Sequence, residues 1–418
     1  MMTSGMRTLA RWGVAVAAVV GYVALHMVIT AVGDLRAGER VRYVAALCWA
    51  VPAVLLLPPV LWLRRRRRAG AAELAALVDR FAPERAWWYR PVFLVLCGVG
   101  YVLLAGGLGG ANAGRQKVGT MPLALSALLL VAGLVAMGAG VLLLRWARPR
   151  AARSAARALL ADGRAPVLYL RSFADDATSA RADDSGMAVN VHTREEEFAA
   201  ALGAFGPMIA VGRPGEPLPL LGAARFYLPL DDWKPTVLQL MAASRLIVLR
   251  LGAGDGLWWE VGQAMATQPA RKLVLLAEGD LAEVARRLDG YLPAPSRLVE
   301  AVGGARRASV VVTFGSDWAP RAYPVGPGTG VGPPAGRVRR AVRTMRSVYA
   351  EARLTSYTQY LVRAVARALG VGRIRRWRLG WRTVTARNGS WLKGYALFLA
   401  VGLVGWPVFR VLQLAGLG

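Results

Sequence analysis

The chain has 418 residues, of which 55% are hydrophobic, and its mean hydropathy is +0.38. Soluble domains are about 45–50% apolar, so the composition excludes a single ordinary soluble domain. The formal net charge is +28, but residues 164–321 carry 17 basic and 18 acidic side chains while the remainder carries 36 and 7. A nearly neutral domain is therefore flanked on both sides by basic, apolar sequence.

Four apolar runs in the first 150 residues are long enough to cross a bilayer, which takes about 20 residues. They lie at 12–33, 43–63, 92–111 and 121–144. None of them contains Asp, Glu, Lys or Arg, so we predict helices that anchor the chain rather than conduct a solute. A fifth run, 391–414, is interrupted by Lys393, Pro407 and Arg410. We expect it either to span the membrane or to lie in the interface.

The arginines predict how these spans are oriented. The loop 64–91 opens with the run Arg64–Arg68, and further arginines follow the fourth span. Cytoplasmic loops carry an excess of Lys and Arg. The sequence therefore predicts a multi-pass protein of the cell membrane, with its N-terminus, the loop 64–91 and residues 145–390 in the cytoplasm.

Between 164 and 319, short apolar runs alternate with helical patterns. The predicted strands are 166–173, 208–211, 245–251, 272–277 and 308–314. A helix is predicted from Thr193, because Thr193 and Glu196 have the spacing of a capping box. This alternation predicts an α/β fold with a doubly wound parallel sheet, which binds ligands at the carboxyl ends of its strands.

Two segments of distinct composition follow this domain. Residues 320–336 are rich in Pro and Gly, which predicts a linker. Residues 337–390 contain 14 Arg and a single acid, Glu351, with apolar residues at helical spacing. We interpret that segment as an amphipathic surface that docks on anionic lipid headgroups. Nucleic acid is the alternative partner, but we do not expect it because no base-reading motif is present.

Metal chemistry is not predicted. The chain has two cysteines, Cys48 and Cys97, and two histidines, His26 and His192, all widely separated. This inventory excludes a disulfide framework and makes a His/Cys metal site improbable. We therefore assign no metal-binding residues.

The stretch 244–277 carries the most informative motif. A strand ends at the loop Gly252–Gly256, and a helix containing Glu260 follows. The run D-G-x-x-x-E-x-G-x-A, from Asp255 to Ala264, resembles the pattern of nucleoside 2-deoxyribosyltransferases. The wider stretch 165–315, with the loop GRPGE at 212–216, resembles TIR domains.

The resemblance implies a TIR-like or flavodoxin-like fold and cleavage of an N-glycosidic bond. NAD or another nucleotide would be the substrate, with no resident cofactor. Glu260 matches the Glu that serves the ribosyl group in both families, which makes it the candidate catalytic residue. At the start of a helix we expect its carboxylate to stay ionised. A helix-start carboxylate satisfied by backbone N–H groups is the alternative.

The candidate substrate-binding residues surround this Glu at the predicted strand ends. They are Arg171, Ser172, Phe173, Asp175, Arg213, Asp255 and Trp258. Arginine suits phosphate because its planar fork matches the phosphate oxygens. An aromatic ring of Phe173 or Trp258 would stack on the base. An Arg171–Asp pair and a Trp258 that fills the core are the structural alternatives.

Two functions from different classes remain open. The first is a membrane-anchored nucleotide-binding domain that cleaves an N-glycosidic bond. The second is a non-catalytic TIR-like signalling or scaffold module, for which a homo-oligomer is expected. Both place the α/β domain in the cytoplasm beside the membrane.

Overall fold

The structure is a computed structural model. It describes residues 68–82, 86–116, 119–172, 192–212, 221–229, 232–305, 307–325 and 357–372, with scattered positions between 20 and 65 and residues 379 and 382. The predicted spans 12–33 and 43–63 are described only at scattered positions, and 391–414 lies outside the described residues.

A short helix and a long helical hairpin precede the α/β domain. Helix α1 covers Ala72–Asp79, α2 covers Tyr89–Gln116 and α3 covers Leu123–Arg150. Helix α2 contains the predicted span 92–111, and α3 contains the predicted span 121–144 from residue 123 onward. Both helices are long and apolar enough to cross a membrane. Their most apolar windows are only 39% and 17% buried, whereas a core helix of a soluble protein is mostly buried.

Glycines allow the backbones of α2 and α3 to come into contact. A Cβ atom at Gly107 would lie 2.5 Å from the carbonyl oxygen of Gly133, and one at Gly114 would lie 2.6 Å from that of Ser126. The G-x-x-x-G spacing of Gly106 and Gly110 within the run 92–111 predicts close helix contact at these two residues. That prediction is wrong by one position at Gly106, because no described atom lies within 4 Å of its added Cβ.

The domain is built on one sheet of seven strands. The strands are β1 Val167–Arg171, β2 Met208–Gly212, β3 Ala224–Tyr227, β4 Leu246–Arg250, β5 Leu273–Asp280, β6 Arg307–Phe314 and β7 Pro320–Pro324. Their spatial order is β3-β2-β1-β4-β5-β6-β7. Strands β1 to β5 are parallel, whereas β6 and β7 are antiparallel.

Two details of this sheet correct the sequence prediction. The sheet is mixed rather than wholly parallel, because β5 is followed by a return to the adjacent antiparallel β6. The order of its parallel strands also differs from the 2-1-3-4-5 order of flavodoxin-like sheets. In addition, the first five residues of the predicted linker 320–336 form β7, whose terminal prolines are tolerated because β7 is an edge strand.

Helices cover both faces of the sheet. The further helices are α4 Ala155–Asp162, α5 Arg194–Leu202, α6 Lys234–Ala243, α7 Asp255–Thr267, α8 Leu281–Asp289, α9 Leu298–Ala301 and α10 Tyr357–Ala368. The core on one face includes residues of α1, α4 and α6 to α9, and the core on the other includes residues of α5 and α10. Burial on both faces explains the continuous apolar sequence of β1.

The position of α10 corrects part of the lipid-docking prediction for 337–390. Leu361, Val362 and Val365 are buried with residues of the sheet, so the apolar face of α10 is not available to a membrane surface. The helix is amphipathic because one of its faces completes the domain core. Apart from residues 357–372, 379 and 382, this segment lies outside the described residues.

The capping box predicted at Thr193 is confirmed. The Thr193 hydroxyl accepts a hydrogen bond from the backbone N–H of Glu196, and the Glu196 carboxylate accepts one from the backbone N–H of Thr193. The same Glu196 forms an ion pair with Arg148 near the end of α3. This contact joins the helical hairpin to the α/β domain.

Candidate functional site

Glu260 lies on the core-facing side of α7. The helix begins after β4, at Asp255, and Glu260 is in its second turn. Leu257, Val261 and Ala264 are buried, and their spacing with Glu260 defines one face of the helix. The helical phase therefore turns Glu260 toward the interior, where it is 8% exposed.

A cavity of about 170 Å³ lies next to Glu260 at the carboxyl edge of the parallel strands. Leu170, Arg171 and Ser172 line it from the end of β1. Val211 of β2, Leu228 beyond β3 and Trp233 before α6 form further parts of its wall. The lining is mainly apolar, with a few polar groups, as is usual in small-molecule sites.

The Glu260 carboxyl group has no partner among the described residues. No hydrogen bond or ion pair is formed by its side chain within that part of the chain. Burial raises its pKa from the ordinary value of 4.5 to about 8, because the ionised form loses its hydration. The expectation of an ionised carboxylate is therefore wrong, since Glu260 lies one turn inside the helix and is largely withdrawn from solvent.

Arg171 lines the same cavity, but its charge is balanced inside the domain. Its Nη1 donates to Oε2 of Glu195 at 2.7 Å, and Nη2 of Arg225 lies 3.3 Å from the same oxygen. All three residues are buried. Within the described residues Arg171 pairs with Glu195 of α5, and the aspartates of the predicted Arg171–Asp pair lie outside them.

The structure brings Arg171, Ser172 and Glu260 together, but it places Asp255 and Trp258 elsewhere. The Asp255 side chain is fully exposed, and its Oδ1 lies 3.8 Å from Nη1 of Arg287. Trp258 donates its indole N–H to the carbonyl oxygen of Gly252 at 2.8 Å and is stacked on Tyr291. Trp258 thus fills the core, which was the alternative to stacking on a base. The remaining candidates Phe173, Asp175 and Arg213 lie outside the described residues.

Trp233 also lines the cavity, although its position after Asp231 and Asp232 in the sequence predicts a helix start first and a binding residue second. It precedes α6, and its ring meets that of Trp259 edge to face, with centroids 4.9 Å apart. An aromatic residue at the start of the helix after β3 was the available signal, because helix starts and strand ends share this edge of the sheet.

No group of three or more His, Cys, Asp or Glu side chains that could hold a metal ion occurs within the described part of the chain. The cavity offers one carboxyl, one hydroxyl and one guanidinium group among apolar walls. This set suits an uncharged or weakly polar organic group better than a cation.

Comparison with known proteins does not extend these conclusions: no family model, curated protein or solved structure matches the chain significantly. The resemblance to TIR domains and deoxyribosyltransferases therefore stays a prediction.

Proposed function

We propose that this protein is a membrane-anchored nucleotide-binding protein that cleaves the N-glycosidic bond of its ligand with the help of Glu260. The observation that carries the proposal is the Glu260 carboxyl group, which is largely buried beside a cavity at the carboxyl edge of the sheet and has no partner among the described residues. An unpartnered buried polar group costs stability. A ligand hydroxyl or ring nitrogen would supply the missing hydrogen bond.

The protonation state of Glu260 defines its chemical role. With a pKa of about 8 it carries a proton at neutral pH and can act as a general acid. In hydrolysis of a nucleoside, the bond between C1′ and the base nitrogen breaks, and its electron pair goes to the base. Glu260 gives its proton to that nitrogen, water adds its oxygen to C1′, and the proton released by water restores Glu260. NAD needs no such proton, because its base leaves as neutral nicotinamide.

The cavity has room for one part of a nucleotide ligand, and the strand order of the sheet is compatible with such a ligand. A cavity of roughly 150 Å³ accepts one six-membered ring, so about 170 Å³ holds a sugar or a base but not a whole nucleotide. The order β3-β2-β1-β4-β5 is also that of dinucleotide-binding sheets, in which the ligand lies where the strand order reverses. The agreement in strand order is an analogy between folds and says nothing about the chemistry of the site.

A non-catalytic function is the second candidate, and one observation favours it. Arg171 is engaged by Glu195, so its guanidinium is not wholly available to a phosphate group. A domain that binds a nucleoside without cleaving it would need only the cavity and Glu260. Such a domain would act as a sensor or scaffold at the membrane.

The membrane placement is part of the proposal. Helices α2 and α3 would span the bilayer, joined by the runs 12–33, 43–63 and, in one arrangement, 391–414. Trp88, Tyr89 and Trp146 lie near the helix ends that adjoin the α/β domain, where aromatic side chains favour the headgroup layer. The arginine-rich loops put that end, with residues 145–390, in the cytoplasm.

The direct test uses the full chain in detergent, because α1, α4 and α10 contribute to the cores of the domain. The protein is incubated with NAD and a panel of nucleosides, and released base is measured by chromatography. Glu260→Gln removes the proton donor at nearly constant shape, and Glu300→Gln is the matched control at an exposed site.

We expect base release from nucleosides by the wild type and the control, with a loss of about 100-fold or more in Glu260→Gln. Release that is unchanged in Glu260→Gln would contradict the catalytic assignment. Nucleoside binding without base release would replace it with the sensor or scaffold function.

A further inference from the structure

A second cavity, of about 130 Å³, lies where the helical hairpin meets the α/β domain. Its wall includes Tyr89 and Arg90 at the start of α2, Arg150 at the end of α3, and the turn leading into α4. Arg225 and Tyr227 of β3 form the side that faces the domain. This junction is separate from the Glu260 cavity and shares no lining residue with it.

The junction cavity is surrounded by positive charge. Arg90, Arg153 and Arg157 all line it, and Arg153 and Arg157 both lie close enough to interact electrostatically with Arg90. Arg153 and Arg157 are exposed and form no side-chain hydrogen bond or ion pair with a described residue. Like charges held together at this range repel each other, so the site favours an anion.

The acidic groups near these arginines do not neutralise them. Asp79 lines the cavity but is exposed and forms no ion pair with a described residue. Arg225 is bound to Glu195 inside the domain, and Arg90 is held by a hydrogen bond from its Nε to the carbonyl oxygen of Ala151. Apart from Arg225, four arginines therefore line the cavity, with one exposed carboxylate beside them.

The start of α4 adds a further attraction for an anion. Ser154 caps this eight-residue helix, and its hydroxyl accepts a hydrogen bond from the backbone N–H of Arg157. The positive end of the helix dipole thus lies at the same cavity as the arginines. The combination of Arg forks with a helix N-terminus is typical of sites for phosphate oxygens.

The apolar helices place this cavity beside a surface suited to lipid. Phe93 of α2 lies 4.7 Å from Tyr89 and 5.2 Å from Trp146 between ring centroids. The Arg150 guanidinium lies over the Trp146 ring, 4.5 Å from its centroid. Aromatic rings with adjacent arginines are characteristic of the layer in which phospholipid headgroups lie.

We propose that the junction cavity binds the phosphate group of an anionic phospholipid, with Arg90, Arg153 and Arg157 as its ligands. The acyl chains would lie along the exposed apolar side of α2 and α3. This inference rests on the proposed membrane placement of those helices and is independent of the activity of Glu260.

The test measures lipid retention by the full chain in a neutral detergent, using native mass spectrometry with added phosphatidylglycerol or phosphatidylcholine. Arg153→Gln/Arg157→Gln removes two exposed charges from the cavity. Arg271→Gln/Arg321→Gln is the matched control, because both arginines are exposed and lie in or next to strands at the other side of the sheet. Arg153→Lys/Arg157→Lys retains the charge. Inorganic phosphate serves as a competitor.

We expect the wild type to retain phosphatidylglycerol in preference to phosphatidylcholine, with affinity reduced about tenfold to thirtyfold in Arg153→Gln/Arg157→Gln. The Arg271→Gln/Arg321→Gln control should match the wild type, and the lysine variant should lose less affinity than the glutamine variant. Unfolding temperatures in detergent verify that each variant is folded.

Three results would overturn this proposal. The first is equal retention of both lipids, and the second is an equal loss of phosphatidylglycerol in the cavity variant and the control. The third is displacement of the lipid by micromolar inorganic phosphate, which would assign the site to free phosphate. An error in the proposed membrane placement can be distinguished from an error in the lipid site, because the chain would then leave membranes without detergent.

Discussion

Glu260 is the residue on which the proposed function depends most directly. Its carboxyl group is buried without a described partner, and Gly254, Ser172 and Trp233 surround the same cavity. Groups whose pKa is shifted strongly by burial are concentrated at functional sites, although structural residues show such shifts as well. The cavity beside Glu260 is what favours the functional explanation.

The first prediction concerns stability and pH. Because the pKa of Glu260 is raised from 4.5 to about 8, the folded chain holds a proton that the unfolded chain has released between these values. The free energy of unfolding therefore falls as pH rises from about 4.5 to about 8. Glu260→Gln removes this loss and should stabilise the protein by about 3 kcal/mol at pH 7.

Thermal unfolding of the full chain in detergent, measured between pH 5 and pH 9, checks this prediction. The exposed variant Glu300→Gln is the control and should follow the wild type at every pH. A wild type whose Tm has the same pH dependence as Glu260→Gln would show that Glu260 is ionised in the folded state.

The second prediction concerns Glu195, which lies between two buried arginines. Its carboxylate accepts from Arg171 at 2.7 Å and from the backbone N–H of Ala223 at 3.2 Å, and Arg225 lies 3.3 Å away. Glu195→Gln leaves two buried cations without their counter-charge. The expected cost is about 3–5 kcal/mol of unfolding free energy, measured by chemical denaturation. A loss below about 1 kcal/mol would mean that the arginines find other partners.

Three residues of the cavity could be predicted from the sequence, but the partners of their side chains could not. Glu260, Arg171 and Ser172 were identified because strand ends and the following helix meet at one edge of a parallel sheet. The Arg171–Glu195 pair was missed because the two residues are 24 positions apart and meet only after α5 packs on the sheet. The ionisation of Glu260 was misjudged for a related reason, since burial depends on helical phase as well as on position.

The packing of α2 against α3 in the helical hairpin can be tested by substituting its glycines. Gly107 faces the backbone of α3 at Gly133 and Met137, whereas Gly106 has no described atom within 4 Å of an added Cβ. The third prediction is that Gly107→Leu destabilises the protein by at least about 1–3 kcal/mol through steric overlap, while Gly106→Leu changes little.

The two leucine variants add identical volume and hydrophobicity one residue apart, so each is the control for the other. Unfolding temperatures of the full chain in detergent provide the measurement. Equal destabilisation by both variants, or by Gly106→Leu alone, would contradict the observed packing of α2 against α3.

The elements also show where local sequence is informative and where it is not. The capping box at Thr193 and the apolar runs of β1, β2, β4, β5 and β6 were identified because their signals are local. The reversal of β6 was missed because an apolar run of strand length has the same composition in either direction. The edge strands β3 and β7 are short or flanked by Pro, and their signals were too weak to detect.

In the whole molecule, largely buried ion pairs join the helical hairpin of α2 and α3 to the α/β domain. The Arg148–Glu196 ion pair links α3 to α5, and Arg225 lines the junction cavity while also contacting Glu195. Glu195 in turn holds Arg171 at the Glu260 cavity. A continuous set of buried ion pairs therefore connects the two cavities.

The fourth prediction follows from the apolar surface of α2 and α3. Side chains such as Val95, Leu128 and Val135 are more than half exposed, which is costly in water and favourable in lipid. The full chain should stay in the membrane fraction after an alkaline carbonate wash and leave it only with detergent. Release by the wash alone would mean that these helices are covered by protein instead of lipid.

The central claim is that the cavity beside Glu260 binds a nucleoside or nucleotide, and blocking that cavity tests it most directly. A Cβ atom at Gly256 would lie 3.8 Å from Trp233, so Gly256→Val adds side-chain volume at the cavity wall without a backbone clash. The exposed Ala266→Val on the same helix is the matched control. The measurement is equilibrium binding of NAD and a nucleoside panel to the full chain in detergent. We expect the wild type and Ala266→Val to bind, with affinity weakened at least about tenfold in Gly256→Val. Unchanged binding in Gly256→Val, or no binding by the wild type, would contradict the central claim.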